Sequence, residues 1–242
     1  MRSGWSLPSI ETPSECTLLL RFGDHLDASC NDRVHAAARA LRASAIPGLL
    51  ELVPAYATLA VHYDPISCRD VGVNRTATEN FVDVITERLS SINIEGSEDE
   101  SRLIDIPVCY DREFGLDLSD AAKELGLSVE DLIARHCAGS YRVAMLGFAP
   151  GFPYLLGLDR SLHLPRRSQP RLRVPAGSVA IGGAQTGIYP SELPGGWQLI
   201  GRTPLRLFDI DRSPPQWLDA GDRVRFVAID RDDFVALAEA AA

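Results

Sequence analysis

Tyr141-Arg-Val-Ala-Met-Leu-Gly147, Ser178-Val-Ala-Ile-Gly182, Trp197-Gln-Leu-Ile-Gly201, Leu205-Arg-Leu-Phe-Asp209 and Arg223-Val-Arg-Phe-Val-Ala-Ile229 are five short strand-like runs. Glycines, prolines and polar turn residues separate them. Short apolar runs cut apart in this way predict an all-β barrel or sandwich. Gly221-Asp222 marks the turn into the last strand. Working outward, two short helices precede this region, Leu118 to Leu125, stopped by Gly126, and Ser128 to His136. Ser128 and Asp131 have the spacing of a capping box. After the region, Asp232 to Ala242 reads as a short Ala-rich helix.

The amino-terminal part has a different texture. Residues 1–15 are rich in Ser, Pro and Glu and read as a flexible lead-in. Thr17 to Phe22 reads as a strand. Asn31 to Ala45 places Val34, Ala38 and Leu41 at helical spacing and ends at Pro47-Gly48. Leu49 to Val53 and Tyr56 to Tyr63 read as strands, and Ala77 to Leu89 as a helix with Phe81, Ile85 and Leu89 on one face. The order strand, helix, strand, strand, helix predicts a split βαβ, or ferredoxin-like, α+β domain over residues 16–101. Such a domain needs one more strand. Leu103 to Cys109 is the candidate, although it lies beyond the polar stretch Glu95-Gly-Ser-Glu-Asp-Glu-Ser101. Residues 102–242 then form the β-barrel domain.

Composition excludes several classes. The 242 residues are 45% hydrophobic and 24% charged, ordinary for a globular protein. A formal charge of −9 argues against a broad nucleic-acid surface. Five scattered cysteines without C-x-x-C spacing read as reduced thiols rather than a metal site or disulfide framework. The start lacks a basic n-region with an apolar core, and no apolar run approaches the roughly 20 residues of a membrane span. The expectation is a cytoplasmic protein with no membrane partner and no metal.

The chemistry-bearing stretch runs from Met145 to Phe208. Leu146-Gly-Phe-Ala-Pro-Gly-Phe-Pro-Tyr154 is a rigid loop carrying aromatic rings. Pro165-Arg-Arg-Ser-Gln-Pro-Arg-Leu-Arg-Val-Pro175 spaces guanidiniums with prolines, and arginine forks suit carboxylate or phosphate. Gln185 supplies an amide that both donates and accepts. Phe152, Tyr154, Tyr189 and Trp197 can wall a pocket, with polar edges on the tyrosines and the tryptophan. Loops of this kind suit a small, polar, planar ligand such as a lactam or ureide. Equally, glycine and proline at this density can simply build the corners of a barrel.

The run LGFAPGFPYL, LPRRSQPRLRVPAGSVAIGGAQTGIYP and PGGWQLIGRTPLRLFD resembles the family that takes in allophanate hydrolase subunit 1, the B-type subunit of 5-oxoprolinase, and KipI. Val61-His-Tyr-Asp-Pro65, Ile106-Pro-Val-Cys-Tyr110 and Tyr141-Arg-Val143 extend the likeness over about residues 16–229. The resemblance implies a ferredoxin-like domain followed by a cyclophilin-like β-barrel. It further implies a subunit of an ATP-dependent 5-oxoprolinase, which opens 5-oxo-L-proline to L-glutamate. The implied partners are a larger subunit-2-type chain and a LamB/YcsF-type chain. Two other roles fall within the same resemblance: a urea carboxylase-type carboxyltransferase component, and an inhibitor that docks on a sensor histidine kinase. Two positions depart from the family pattern, Asp111-Arg112 after the Cys-Tyr step and Gly139-Ser140 before Tyr-Arg-Val.

Single residues follow from this reading. His136 is the candidate general base, with a helix-dipole cap as its structural alternative. Gln185 is the second candidate catalytic group. Arg166 and Arg171 are the anion-binding candidates, and Phe152, Tyr154, Tyr189 and Trp197 the candidate walls, Trp197 being equally a core anchor. His62 reads as a packed or rim residue. Ser178 is not in a G-x-S-x-G elbow, so no nucleophilic triad is expected. No G-x-x-x-x-G-K-[ST] loop occurs, so ATP is expected to be shared with or held by a partner subunit.

Overall fold

The computed structural model describes residues 6–25, 27–68, 75–91 and 101–240. The polar stretch after residue 91, apart from Ser101, and the extreme ends of the chain lie outside the described residues. The chain divides into two compact units, residues 1–100 and 101–242.

In the first unit β1 (Ser9–Ser14) and β2 (Thr17–Arg21) form a hairpin, followed by α1 (Ala28–Ala43), β3 (Leu49–Pro54), β4 (Thr58–Tyr63) and α2 (Ala77–Ser90). The sheet order is β1-β2-β4-β3 with every neighbour antiparallel. Period-two alternation sends Leu18, Leu20, Leu59, Val61 and Tyr63 to one face. There they meet Val34, Ala37 and Leu41 of α1 and Phe81, Ile85 and Leu89 of α2 in one core. Each large side chain so buried contributes about 1.5–3 kcal/mol. Asp27 caps α1 by accepting the Ser29 N–H, and Thr76 with Glu79 closes a full capping box on α2.

The split βαβ arrangement is present, since β4 lies between β2 and β3. The fourth strand is not the expected one. Its place beside β2 is taken by β1, from the segment read as a loose lead-in. Ile10 is the one half-buried side chain of β1, so the strand carries no apolar alternation to reveal it. Thr17 and His62 face each other on the outer side of the sheet, with Thr17 Oγ1 3.1 Å from His62 Nδ1. His62 is a rim residue.

Leu103–Cys109, expected to close that sheet, is instead β5 of the second unit. Then come α3 (Leu118–Leu125), α4 (Val129–Ala138), β6 (Tyr141–Leu146), β7 (Pro153–Leu156), β8 (Arg171–Val174), β9 (Ser178–Gly182) and β10 (Gln185–Ile188). The unit ends with β11 (Leu193–Gly195), β12 (Gln198–Arg202), β13 (Arg223–Ile229) and α5 (Arg231–Ala240). Seven strands close a barrel in the order β10-β7-β6-β13-β5-β12-β9, and β8 with β11 forms a separate ribbon. One barrel pair is parallel, β13 with β5, in register from Arg223 opposite Leu103 to Ile229 opposite Cys109. That seven-residue ladder assigns Leu103–Cys109 to the barrel. Ile106, Val108, Val143, Ile181, Ile200 and Phe226 fill the interior, and Leu132 of α4 packs onto it.

Leu205–Asp209 is not a strand. Its backbone meets Pro215 and Trp217, with a single bridge between Phe208 and Gln216. Pro214 and Pro215 have no N–H to extend a ladder. Gly126, at φ +68°, ends α3 in the left-handed conformation its sequence position predicts. Ser128 caps α4 through the Asp131 N–H.

Candidate functional site

The Gly147–Phe152 loop, between β6 and β7, folds back on itself. The Phe152 N–H donates to the Ala149 carbonyl, and the Gly147 N–H to the Phe152 carbonyl. Phe148 lies at the loop tip with φ +68° and is 62% exposed. Left-handed backbone is costly for a bulky residue, so the loop holds this ring outward against its preference. An edge contact to Phe152, centroids 5.5 Å apart, supports it.

Phe152 is the hub of an aromatic cluster outside the barrel interior. Its ring meets Tyr154 at 4.9 Å, Tyr189 at 5.2 Å and Trp197 at 5.7 Å between centroids. Glycines make this packing possible. A Cβ on Gly182 would lie 2.5 Å from the Trp197 indole, and one on Gly195 would overlap the Tyr189 hydroxyl. Burial raises the Tyr189 phenol above the usual tyrosine range, partly offset by the Trp197 backbone N–H and by Arg166 and Arg171.

A residue outside the sequence-based candidates anchors the arginine loop. Asp117, just before α3, is buried at 3% exposure. Arg171 makes a two-pronged pair with it, Nη1 at 2.7 Å and Nη2 at 2.8 Å, and Arg167 Nη1 adds a third contact at 2.6 Å. The Leu199 N–H donates to the same carboxylate at 2.8 Å, while the Asp117 N–H returns to the Leu199 carbonyl at 2.9 Å. Asp117 thus ties the arginine loop to β12. Arg171, expected to receive an anion, is engaged by an internal carboxylate. Arg166 is exposed, with its guanidinium 5.8 Å from the Trp197 ring and no carboxylate partner among the described residues.

Both expected catalytic groups are buried. His136 has no exposed surface and stacks on Phe226 at 4.4 Å. Its Nε2 is 3.1 Å from Thr186 Oγ1, whose own proton goes to the Ala180 carbonyl at 3.0 Å. Nε2 must therefore donate, and Nδ1 accepts from the Tyr110 hydroxyl at 2.8 Å. Burial lowers the His136 pKa to about 3, so the ring is neutral with both nitrogens occupied. That arrangement wires α4 to β10 and offers no base to a ligand. His136 thus lies in the core, where α4 packs against Phe226 of β13. Gln185 is buried at the head of β10, opposite Gly182. Phe152, Tyr189 and Trp197 are buried in the aromatic cluster, so they support a surface rather than line one. Of the expected set, Arg166 is exposed, and Tyr154 and Arg171 are half-buried. Among the described residues no group of three His, Cys, Asp or Glu is placed to hold a metal.

A closed seven-stranded barrel with an arginine-clamped outer ribbon, following a separate α+β unit, fits a carboxyltransferase-type architecture. Residues 8–218 match the family described as carboxyltransferase domain, subdomain C and D, and the chain belongs to this family. Among its relatives, the B-type subunit of 5-oxoprolinase from Bacillus subtilis (strain 168) is 44% identical over 95% of this chain and 96% of the relative. Its counterpart of the same name from Escherichia coli O157:H7 is 56% identical over 55% of this chain and 61% of the relative. The crystal structure of TTHA0988 superposes with a TM-score of 0.75 at 41% identity, covering 88% of this chain. This chain spans only 40% of that one. The urea amidolyase of K. lactis matches with a TM-score of 0.72 at 17% identity, a likeness of fold alone.

Proposed function

We propose that this chain is the B-type subunit of an ATP-dependent 5-oxoprolinase, which opens the lactam of 5-oxo-L-proline to L-glutamate together with partner subunits. The observation that carries the reading is the 44% identity, over 96% of the relative, with a protein named as that component of 5-oxoprolinase.

The residues do not fit a nucleotide held by this chain alone. The sequence has no phosphate loop of the G-x-x-x-x-G-K-[ST] type. The densest run of arginines gives two of its guanidiniums to Asp117. ATP is therefore held by, or shared with, a partner chain. The partners are a larger subunit-2-type chain and a LamB/YcsF-type chain. That more than half of the TTHA0988 chain lies outside its match to this one supports work beside further polypeptide. Consumption of ATP places the reaction in the cytoplasm. No helix among the described residues is long and apolar enough to cross a membrane. Within the complex, Arg166, Tyr154 and the outward-held Phe148 are among the groups of the motif region open to a ligand or partner.

The test is reconstitution. Co-expression with both partner chains should give ATP-dependent glutamate release from 5-oxo-L-proline, and omission of this chain should abolish it. Full activity from the partners alone refutes the assignment.

A further inference from the structure

The second unit contains a cavity of about 680 Å³ that none of the motif candidates lines. Its wall combines Arg202, at the end of β12, with Thr203, Leu205 and Phe208 of the following segment and Phe234 and Ala238 of α5. That volume suits a small organic ligand.

Arg202 is the unusual member. It is partly buried, and its Nε–H is fixed to the Ala176 carbonyl at 2.7 Å. Its two terminal nitrogens have no acceptor among the described residues. Burial pushes its guanidinium below the usual arginine range, and no neighbouring carboxylate pulls it back. The other charges at the cavity are already matched. Arg206 pairs with Asp209 at 3.0 Å, and Glu192 lies 3.7 Å from Arg173. One partly desolvated positive charge is left over, on a guanidinium whose plane is set by its backbone contact. The terminal N–H groups then present the fork that a carboxylate fits. Thr203 Oγ1 accepts the Leu205 N–H at 3.3 Å and keeps its own proton to donate. Around this polar corner the wall is apolar, from Leu205, Phe208, Phe234 and Ala238. With Arg206 engaged by Asp209, a single fork is left, which balances one carboxylate charge and not the two of phosphate.

We propose that this cavity binds a small monocarboxylate with a compact ring, its carboxylate on Arg202 and its ring against Phe208 and Phe234. The choice of 5-oxo-L-proline as the natural ligand rests on the oxoprolinase reading; the carboxylate site itself does not.

The experiment is calorimetric titration of the full chain with 5-oxo-L-proline, neutral 2-pyrrolidinone and inorganic phosphate. 5-Oxo-L-proline should bind, with the lactam lacking the carboxylate and phosphate each at least about ten-fold weaker. Arg202→Met should weaken 5-oxo-L-proline at least ten-fold, and Arg160→Met, which removes an exposed guanidinium of the same unit away from the cavity, should leave it unchanged. Ala238→Trp keeps Arg202 and its Ala176 contact while filling the cavity from α5, and should also block binding with the circular dichroism spectrum unaltered. Equal binding of 2-pyrrolidinone, preference for phosphate, a loss on Arg160→Met as large as that on Arg202→Met, or no binding would overturn the site. Should the reconstituted complex be active while the chain binds no carboxylate, the site falls and the oxoprolinase reading stands. Carboxylate binding by a chain its partners do not need leaves the site standing and removes that reading.

Discussion

Replacing Asp117 by alanine is the sharpest probe of the second unit. The side chain takes three guanidinium contacts and the Leu199 N–H within 2.6–2.8 Å. Hydrogen bonds to a charged group are worth about 1.5–3 kcal/mol each, which would sum to more than 6 kcal/mol if all were lost. That sum overstates the effect. The side chains of Arg167 and Arg171 are 33% and 23% exposed, so water recovers part of their hydration once the carboxylate is gone. The Leu199 N–H is buried and recovers none. Removing one member of a buried pair typically costs about 3–5 kcal/mol, and the partial exposure puts this case near the lower end, about 3 kcal/mol. The assay is urea denaturation followed by tryptophan fluorescence in a Trp5→Phe background, so that Trp197 and Trp217 of the second unit report. Asp117→Ala with Arg171→Met should be less destabilised than the sum of the two single changes, because the double variant strands one charge fewer. A loss under about 1 kcal/mol, or strict additivity, would mean that the cluster is solvated decoration and not the clamp that holds the arginine loop.

Other outcomes follow from the same geometry. His136 is depressed in the folded chain to about 3 from its ordinary 6.5, so the unfolded state binds the extra proton first. Stability of the second unit should be complete above pH 6.5 and decline by up to about 4 kcal/mol as pH falls toward 3; His136→Phe should flatten that slope, and identical slopes would contradict the assignment. Gly182→Ala drives a methyl into the Trp197 indole and should cost about 1–3 kcal/mol with altered tryptophan emission; an unchanged spectrum and stability would contradict the packing. Arg166→Met removes an exposed guanidinium and should shift stability by less than about 0.5 kcal/mol while lowering activity of the reconstituted complex; intact activity would take Arg166 out of the functional face.

Much of the fold is legible in the sequence because its signals are local. The stop at Gly126, the cap at Ser128, the α2 face of Phe81, Ile85 and Leu89, and the strands at 141, 178, 198 and 223 all depend on residues within a turn or two. What escapes is pairing over long range. β1 is exposed on nearly every side chain, so only its hydrogen bonds to β2 make it a strand. Leu103–Cys109 is a strand as expected but belongs to the other sheet, because strand character does not say which neighbour supplies the ladder. β10 reads Gln-Thr-Gly-Ile, weak in strand formers, and exists because β7 and β9 flank it.

The site is less legible for a related reason. A residue type states what a side chain can bond, not whether a bond is already made. Arg171 has the chemistry of an anion receptor, but Asp117, 54 positions upstream, already lies between its fingers. No spacing rule connects those positions. The same holds for His136, whose two nitrogens are satisfied by Tyr110 and by Thr186, 50 residues downstream. Once internal partners are subtracted, the motif region still presents Arg166 over its indole, Phe148 held outward at positive φ, and Arg202 in its cavity. The long Gly, Pro and Arg motif is thus mostly the means of building a rigid outer face, and function must reside in what that face leaves unpaired. This predicts an asymmetry. Substitutions at Asp117, Trp197 or Gly182 should lose folding and activity together, whereas those at Arg166, Phe148 and Arg202 should lose activity with the fold retained, and a reversed pattern would refute the division.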